Sequence, residues 1–158
     1  MGYNREKAVA YAHKWAMGRN PNYYNFDGMG GDCTNFVSQC LYSGSGVMNY
    51  TRDTGWYYRS PGDRAAAWSG VEFLHRFLTT NKSAGPYGTE LPIKSVQTGD
   101  IIQLCFDGRI FGHSLFVVDI EPEILVAQHS GGENYDNRPF STYQYLFARL
   151  IHIEGVRR

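Results

Sequence analysis

Residues 30–40 read G-G-D-C-T-N-F-V-S-Q-C, which puts a cysteine where a glycine-rich loop turns into a helix. Asp32 is a good N-cap residue, and Phe36, Val37, Cys40 and Leu41 recur at helical spacing, so Cys33 falls in the first turn. The unpaired N–H groups of a first turn favour a thiolate, drawing a cysteine pKa from about 8.5 toward neutrality. The same groups can hold the oxyanion formed when a carbonyl is attacked. On the helix signature alone, a small buried hydrophobe fits Cys33 equally well. The histidines downstream decide between the two.

A nucleophilic thiol needs a general base, and the base needs a third group on its other ring nitrogen. His113 and His129 lie on two apolar runs joined by Glu121, Pro122 and Glu123, a loop short enough for an antiparallel hairpin. The paired residue numbers then sum to between about 242 and 244. In the even registers His113, Leu115, Leu125, Ala127 and His129 share a face and the two imidazoles meet; an odd register splits them. Asp119, Asn134 and Asp136 are the other candidates for the third group. Asp119 lies about 20 Å along the strand from His113, and the other two sit in a loop whose composition is that of a turn. His13 and His75 read as structural residues of the first and third helices.

Positioning these side chains falls to three helices and a set of strands. Asn4 caps a helix over 5–17 with Ala8, Val9, Ala12, Trp15 and Ala16 as its apolar stripe, and the Cys33 helix ends near Gly44. Residues 45–68 carry aromatic residues, glycine and proline without a clear period and read as a long irregular segment. Ser69 and Glu72 form an S-x-x-E capping box for a third helix that buries Val71, Leu74, Phe77 and Leu78. Strands follow at 101–106, 113–120, 124–129 and 145–153. Helices first and strands second predict an α+β fold, helices against one face of a mostly antiparallel sheet, as a single domain over 1–158.

Composition removes several classes of function. Fifteen basic and fifteen acidic residues balance to a net charge of zero, so nucleic acid has no electrostatic footprint here. No apolar stretch approaches the roughly 20 residues of a membrane span, and the N-terminus has no hydrophobic signal core. The three cysteines include no C-x-x-C and no histidine at zinc-finger spacing, so neither a metal nor another cofactor is expected. Cys33 and Cys40 are about 10 Å apart along one helix, too far to bridge, so at most one disulfide, involving Cys105, is possible.

With these residues in view, the chain resembles the putative amidase domain of Gram-positive bacteria, a branch of the papain-like cysteine hydrolases related to the NlpC and CHAP cell-wall peptidases. The resemblance spans nearly the whole chain. It is carried by Y-N-R-E-K-A-V-A-Y-A-H-K-W-A at the start, G-D-C-T-N-F-V-S-Q-C-L, Trp68, G-D-I-I-Q from Gly99, G-H-S-L-F-V-V from Gly112, and A-Q-H-S from Ala127. It implies a papain-like core with Cys33 as nucleophile, His113 as base and His129 as the orienting third residue. Asp27 falls where a papain-type enzyme has glutamine, and an acid there repels an oxyanion. The Cys33 N–H is therefore the expected oxyanion donor, with Tyr23, Tyr24 or Asn25 as further candidates and Asp32 counted with them as a substrate or oxyanion contact. The expected activity is hydrolysis of an amide bond in a peptide or peptidoglycan-type substrate. An acyl-transferase on the same triad and a non-catalytic binding module are the alternatives. The twelve tyrosines and three tryptophans supply core and could also line a cleft for peptide or sugar. The sequence leaves localisation open, and only the same analogy points to a longer secreted or wall-associated protein.

Overall fold

The computed structural model describes residues 2–130 and 133–158. Helices α1 (Arg5–Trp15) and α2 (Cys33–Ser45) come first, followed by the short strands β1 (Tyr58–Ser60) and β2 (Asp63–Arg64) and the helices α3 (Ala66–Ser69) and α4 (Val71–Thr80). The strands β3 (Gly85–Leu91), β4 (Ile101–Cys105), β5 (Phe111–Asp119), β6 (Leu125–Gln128), β7 (Tyr135–Pro139) and β8 (Phe147–Arg157) complete the chain. They form one sheet in the order β3-β8-β4-β5-β6-β7, antiparallel at every pairing. The class is α+β, with helices gathered on one face.

Asn4 starts α1 as its type predicts, its side chain accepting from the Lys7 N–H at 3.0 Å. Ala8, Ala12 and Ala16 are fully buried, small enough to let α1 lie close on α2. The approach is tightest at Gly44, where a Cβ would stand 2.6 Å from the Tyr3 ring and 2.7 Å from the Asn4 carbonyl. Helix α2 buries Phe36, Val37, Cys40 and Leu41 against the sheet and ends at Gly46, in the left-handed region at φ 68°.

The segment between α2 and α4 is less irregular than its sequence suggests. It holds the β1–β2 pair and buries Trp56 and Trp68 completely, each with its indole N–H satisfied: Trp56 donates to Ser38 Oγ at 3.0 Å and Trp68 to Asn35 Oδ1 at 2.9 Å. The S-x-x-E capping box does not form. Gly70 occupies the N-cap of α4, the Ser69 hydroxyl accepts from Arg64 and Glu72 pairs with Arg149. Leu74, Phe77 and Leu78 are buried as expected, while Val71 is only partly so.

The two sheet faces carry separate cores. Ile101, Phe116, Val118, Ala127, Ile151 and Ile153 pack against the helices; Ile102, Leu104, Leu115, Val117, Val126 and Leu150 fill the other face under Phe140. The fully buried Asp100 of the Gly-Asp motif ties the helical layer to the sheet, accepting from Arg5 at 2.8 Å and from the Ile153 N–H at 3.1 Å and lying 2.9 Å from His152 Nδ1. Strands β3 and β7 lie where none was expected. Of the loop read as a turn, Gly131 and Gly132 fall outside the described residues, and part of the remainder is β7.

The hairpin between β5 and β6 decides the site. Next to the turn Asp119 pairs with Leu125, an even register, but Val117 pairs with Val126 and Phe116 with Ala127, an odd one. One extra residue, Val118, is accommodated as a bulge, and a shift of one residue moves every side chain beyond it to the other face. His113 and His129 are thereby split.

Candidate active site

Helix α2 begins at Cys33, with Asp32 in the N-cap position. The expectation that the Asp32 side chain caps the helix is corrected: it makes no capping hydrogen bond to the first turn. Its carboxylate has stronger partners. Oδ1 accepts from the Phe26 N–H at 2.9 Å and from Asn35 Nδ2 at 2.8 Å, while Oδ2 is ion-paired to Arg19 and lies 2.8 Å from His129 Nδ1. Three of these four partners come from outside the helix turn, and one is a guanidinium, which binds a carboxylate more strongly than a neutral amide does. Among the described residues, the first turn of α2 is left without a side-chain acceptor beside the Cys33 sulfur.

Cys33 is half-buried, and its thiol meets the His113 imidazole, the Ser114 N–H and, at 3.6 Å, the Thr34 hydroxyl. Burial pushes the thiol up, but the hydrogen bond and charge of His113, with the Ser114 and Thr34 donors, outweigh it and leave the pKa lowered. His113 is raised for the reciprocal reason: burial pulls it down, and its hydrogen bond and charge interaction with Cys33, then Gln128, overcome that. Together the two groups favour a thiolate–imidazolium pair.

The proton on His113 can be assigned from its neighbours. Gln128 donates from Nε2 to the Glu133 carbonyl at 2.7 Å, so its Oε1 faces the other way and accepts from the Tyr143 hydroxyl at 2.5 Å. His113 Nε2 lies 3.0 Å from that same Oε1. A carbonyl oxygen can only accept, so His113 Nε2 carries a proton and Nδ1 is the nitrogen left for the thiol. Behind Cys33 a buried polar chain fixes the strand: Thr34 and Ser114 hydroxyls at 2.9 Å, Gln103 Nε2 donating to Ser114 Oγ at 3.2 Å, and Arg149 donating to Gln103 Oε1 at 2.7 Å. The Gly-His-Ser and Gly-Asp-x-x-Gln motifs thus converge on the same sulfur.

His129 is not brought to His113. It sits on the helical face, stacked on Phe36 with ring centroids 4.2 Å apart, and its Nε2 donates to the Trp15 carbonyl at the end of α1 at 2.9 Å. With Nδ1 between Asp32 and Arg19, it ties the end of α1 to the start of α2. The residue beside His113 is its chain neighbour Gln128, which the odd register turns to that face. Tyr23 stacks on Trp68 at 5.9 Å, the Tyr24 N–H donates to the Tyr58 hydroxyl at 2.9 Å, and Asn25 accepts from the Asp27 N–H at 2.9 Å. These contacts tie them to the aromatic cluster and to their own loop rather than to Cys33. Asp32, an acceptor engaged four times over, is no oxyanion donor, and Asp27 pairs with Arg19. Asp119 caps its own turn at the Ile120 N–H (2.8 Å), Asn134 accepts from the Ser130 N–H (3.2 Å) and Asp136 lies 2.9 Å from His13.

Neither Gln128 nor Tyr143 stands out in the sequence as a site residue. The signal for Gln128 is conditional on register: an odd pairing puts residue 128, not 129, on the face of His113. A direct expectation concerns the thiols. All three cysteines are free, Cys40 is fully buried and pushed up by that burial, and Cys105 is buried at the end of β4. Under limiting iodoacetamide at neutral pH, peptide mapping should find Cys33 labelled first, by at least about tenfold over the others. Faster labelling of Cys40 or Cys105 in folded protein would exclude Cys33 as the activated thiol.

Comparison with known proteins bears on the chain as a whole. It is 33% identical over 120 residues to the uncharacterized protein YhbB of Bacillus subtilis (strain 168), a stretch covering 73% of this chain and 37% of that protein. The chain thus spans little more than a third of the length of this relative. No solved structure matches. Residues 2–153 match the family model described as the putative amidase domain, and the chain belongs to that family.

Proposed function

We propose that this domain is a cysteine-dependent amidase of papain-like type in which Cys33 is the nucleophile, His113 the general base and acid, and Gln128 the positioning residue. The observation that carries the reading is His113 held between the Cys33 thiol and Gln128 Oε1. The Cys33 thiolate attacks the amide carbonyl, and the uncapped first-turn N–H groups of α2 take the developing oxyanion. His113, protonated by the thiol, gives its Nδ1 proton to the leaving amine. It then accepts a proton from the water that hydrolyses the thioester. Gln128 accepts from Nε2–H throughout and so holds both tautomer and ring plane. Cell-wall peptide is the substrate class implied by the resemblance to NlpC and CHAP enzymes.

The test is hydrolysis of peptidoglycan-derived and model peptide amides, with mass spectrometry of the quenched enzyme to detect an acyl adduct on Cys33. Absence of both turnover and adduct across a broad amide panel counts against the reading. Gln128 gives a sharper handle. Gln128→Ala should lower kcat/KM on the order of ten- to a thousandfold, since an orienting group matters less than nucleophile or base. Gln128→Glu keeps an acceptor and adds a charge, so the basic limb of the pH profile should move to higher pH as His113 holds its proton longer. An unmoved limb would leave Gln128 as mere packing.

A further inference from the structure

A cavity of about 320 Å³ opens beside His113, bordered by Phe106, Gly112, Gln128, Arg138 and Tyr143. Cys33 is not in its wall. If His113 protonates the leaving amine, the leaving group must lie against the imidazole, and this cavity, which borders His113 and Gln128, is the adjoining space into which the remainder of that group can extend.

Arg138 is held in its wall as a fixed donor. Its guanidinium carbon stands 3.9 Å from the Tyr143 ring centroid and 4.5 Å from that of Tyr135. Nε donates to the Thr142 hydroxyl at 2.9 Å, and Nη2 makes a longer contact of 3.3 Å to the Thr142 carbonyl. The Tyr143 hydroxyl makes a third hydrogen bond to the guanidinium, so among the described residues three of the five N–H groups are engaged and two are left for a ligand. Among the described residues no carboxylate lies within ion-pair distance of Arg138, although the exposed Glu133 borders the same cavity. Two stacked rings and the Thr142 contacts remove most of the freedom that an arginine loses on binding, and a planar fork with free N–H groups matches a carboxylate. The same Tyr143 that stacks on Arg138 donates to Gln128, so an anion on the guanidinium sits one residue away from the group that orients the base.

We infer that Arg138 is a specificity-determining residue that binds a carboxylate carried on the amine side of the scissile amide. The inference rests on the proposed Cys33–His113 chemistry for the side the leaving group takes. The occupant is thus a peptide or amino acid whose amine is released and whose carboxylate is free, not a neutral amide.

Paired substrates test it: one acyl peptide ending on the amine side in a free carboxylate, the other identical but carboxamidated. The wild type should favour the acid by about tenfold or more in kcat/KM, mainly through KM. In Arg138→Gln the ratio should fall toward one, and in Arg138→Lys it should be intermediate. A purely structural loss through Tyr143 and Gln128 would lower both substrates alike and leave the ratio standing. A wild-type ratio near one, or a ratio that survives Arg138→Gln, overturns the inference. A second arm does not depend on catalysis. Titrating Cys33→Ala protein with glycylglycine should shift the Arg138 Nε–H resonance, and glycylglycinamide should not. Equal responses to the two dipeptides, or none to either, overturn carboxylate binding whether or not the protein turns over any amide.

Discussion

Cys33→Ala and His113→Ala should each abolish amide turnover, a loss of at least about 10⁴-fold or roughly 5.5 kcal/mol of transition-state stabilisation, while leaving the fold intact. For Cys33 the loss is chemical, because no other thiol can substitute: Cys40 and Cys105 are buried in the core. For His113 it is double. The variant loses the acid that protonates the leaving amine, and it also removes the main interactions that offset burial at Cys33, so the thiol should rise from its lowered value. Alkylation of Cys33 at neutral pH should therefore slow markedly in His113→Ala, a readout independent of any substrate. In the wild type the lowered thiol and raised imidazole define a window in which both charges are present. Activity should climb as pH rises through the Cys33 pKa and fall as it passes that of His113. Near-normal thermal unfolding, together with full turnover by Cys33→Ala, would sink covalent cysteine catalysis.

Much of this site is legible in the sequence because its two principal parts are local. A glycine-rich loop, an N-cap-type residue and an apolar stripe locate Cys33 at a helix start, and the structure begins α2 at that residue. The hairpin carrying His113 is equally readable, since Glu121-Pro122-Glu123 punctuates two apolar runs. The third residue is not local. It depends on a register that one bulged residue, Val118, inverts, and nothing in V-V-D-I distinguishes a bulged valine from a paired one. Asp32 illustrates a second limit: its position at the helix start follows from type and spacing, but its side chain goes to Arg19 and Phe26, and that preference exists only once the loop has folded back. Strands β3 and β7 escaped for a third reason. One opens on Gly85-Pro86 and the other reads Y-D-N-R-P, compositions that deny strands by propensity and are overridden by pairing with β8 and β6.

Removing His129 from the site turns it and Asp32 into a question of stability rather than rate. Asp32 is 1% exposed and gathers Arg19, His129, the Phe26 N–H and Asn35, so Asp32→Ala strands two donors and leaves Arg19 with Asp27 as its remaining carboxylate partner. Breaking a buried ion pair costs about 3–5 kcal/mol; the 30% exposure of the Arg19 side chain lets it rehydrate, which puts the expectation near about 3 kcal/mol. For a domain of this size that lowers Tm by roughly 6–12 °C. Burial alone would raise the Asp32 pKa, but the His129, Phe26, Asn35 and Arg19 interactions overcome it and leave it lowered. A depressed folded pKa contributes stability above the unfolded value, about 3.9, and that contribution disappears as pH falls through the folded value. The gap between wild type and Asp32→Ala should accordingly be full at pH 7 and shrink below about pH 4. His129→Ala should move in the same direction by less, about 1–3 kcal/mol for the unpartnered Trp15 carbonyl and the lost Phe36 stacking, and the folded fraction should still turn over substrate. Urea unfolding of the three proteins at pH 7 and near pH 3.5 measures both effects. If Asp32→Ala unfolds within about 1 kcal/mol of the wild type at pH 7, the cluster does not join the end of α1 to the start of α2 energetically. If His129→Ala instead loses rate at full stability, the imidazole belongs with His113 after all.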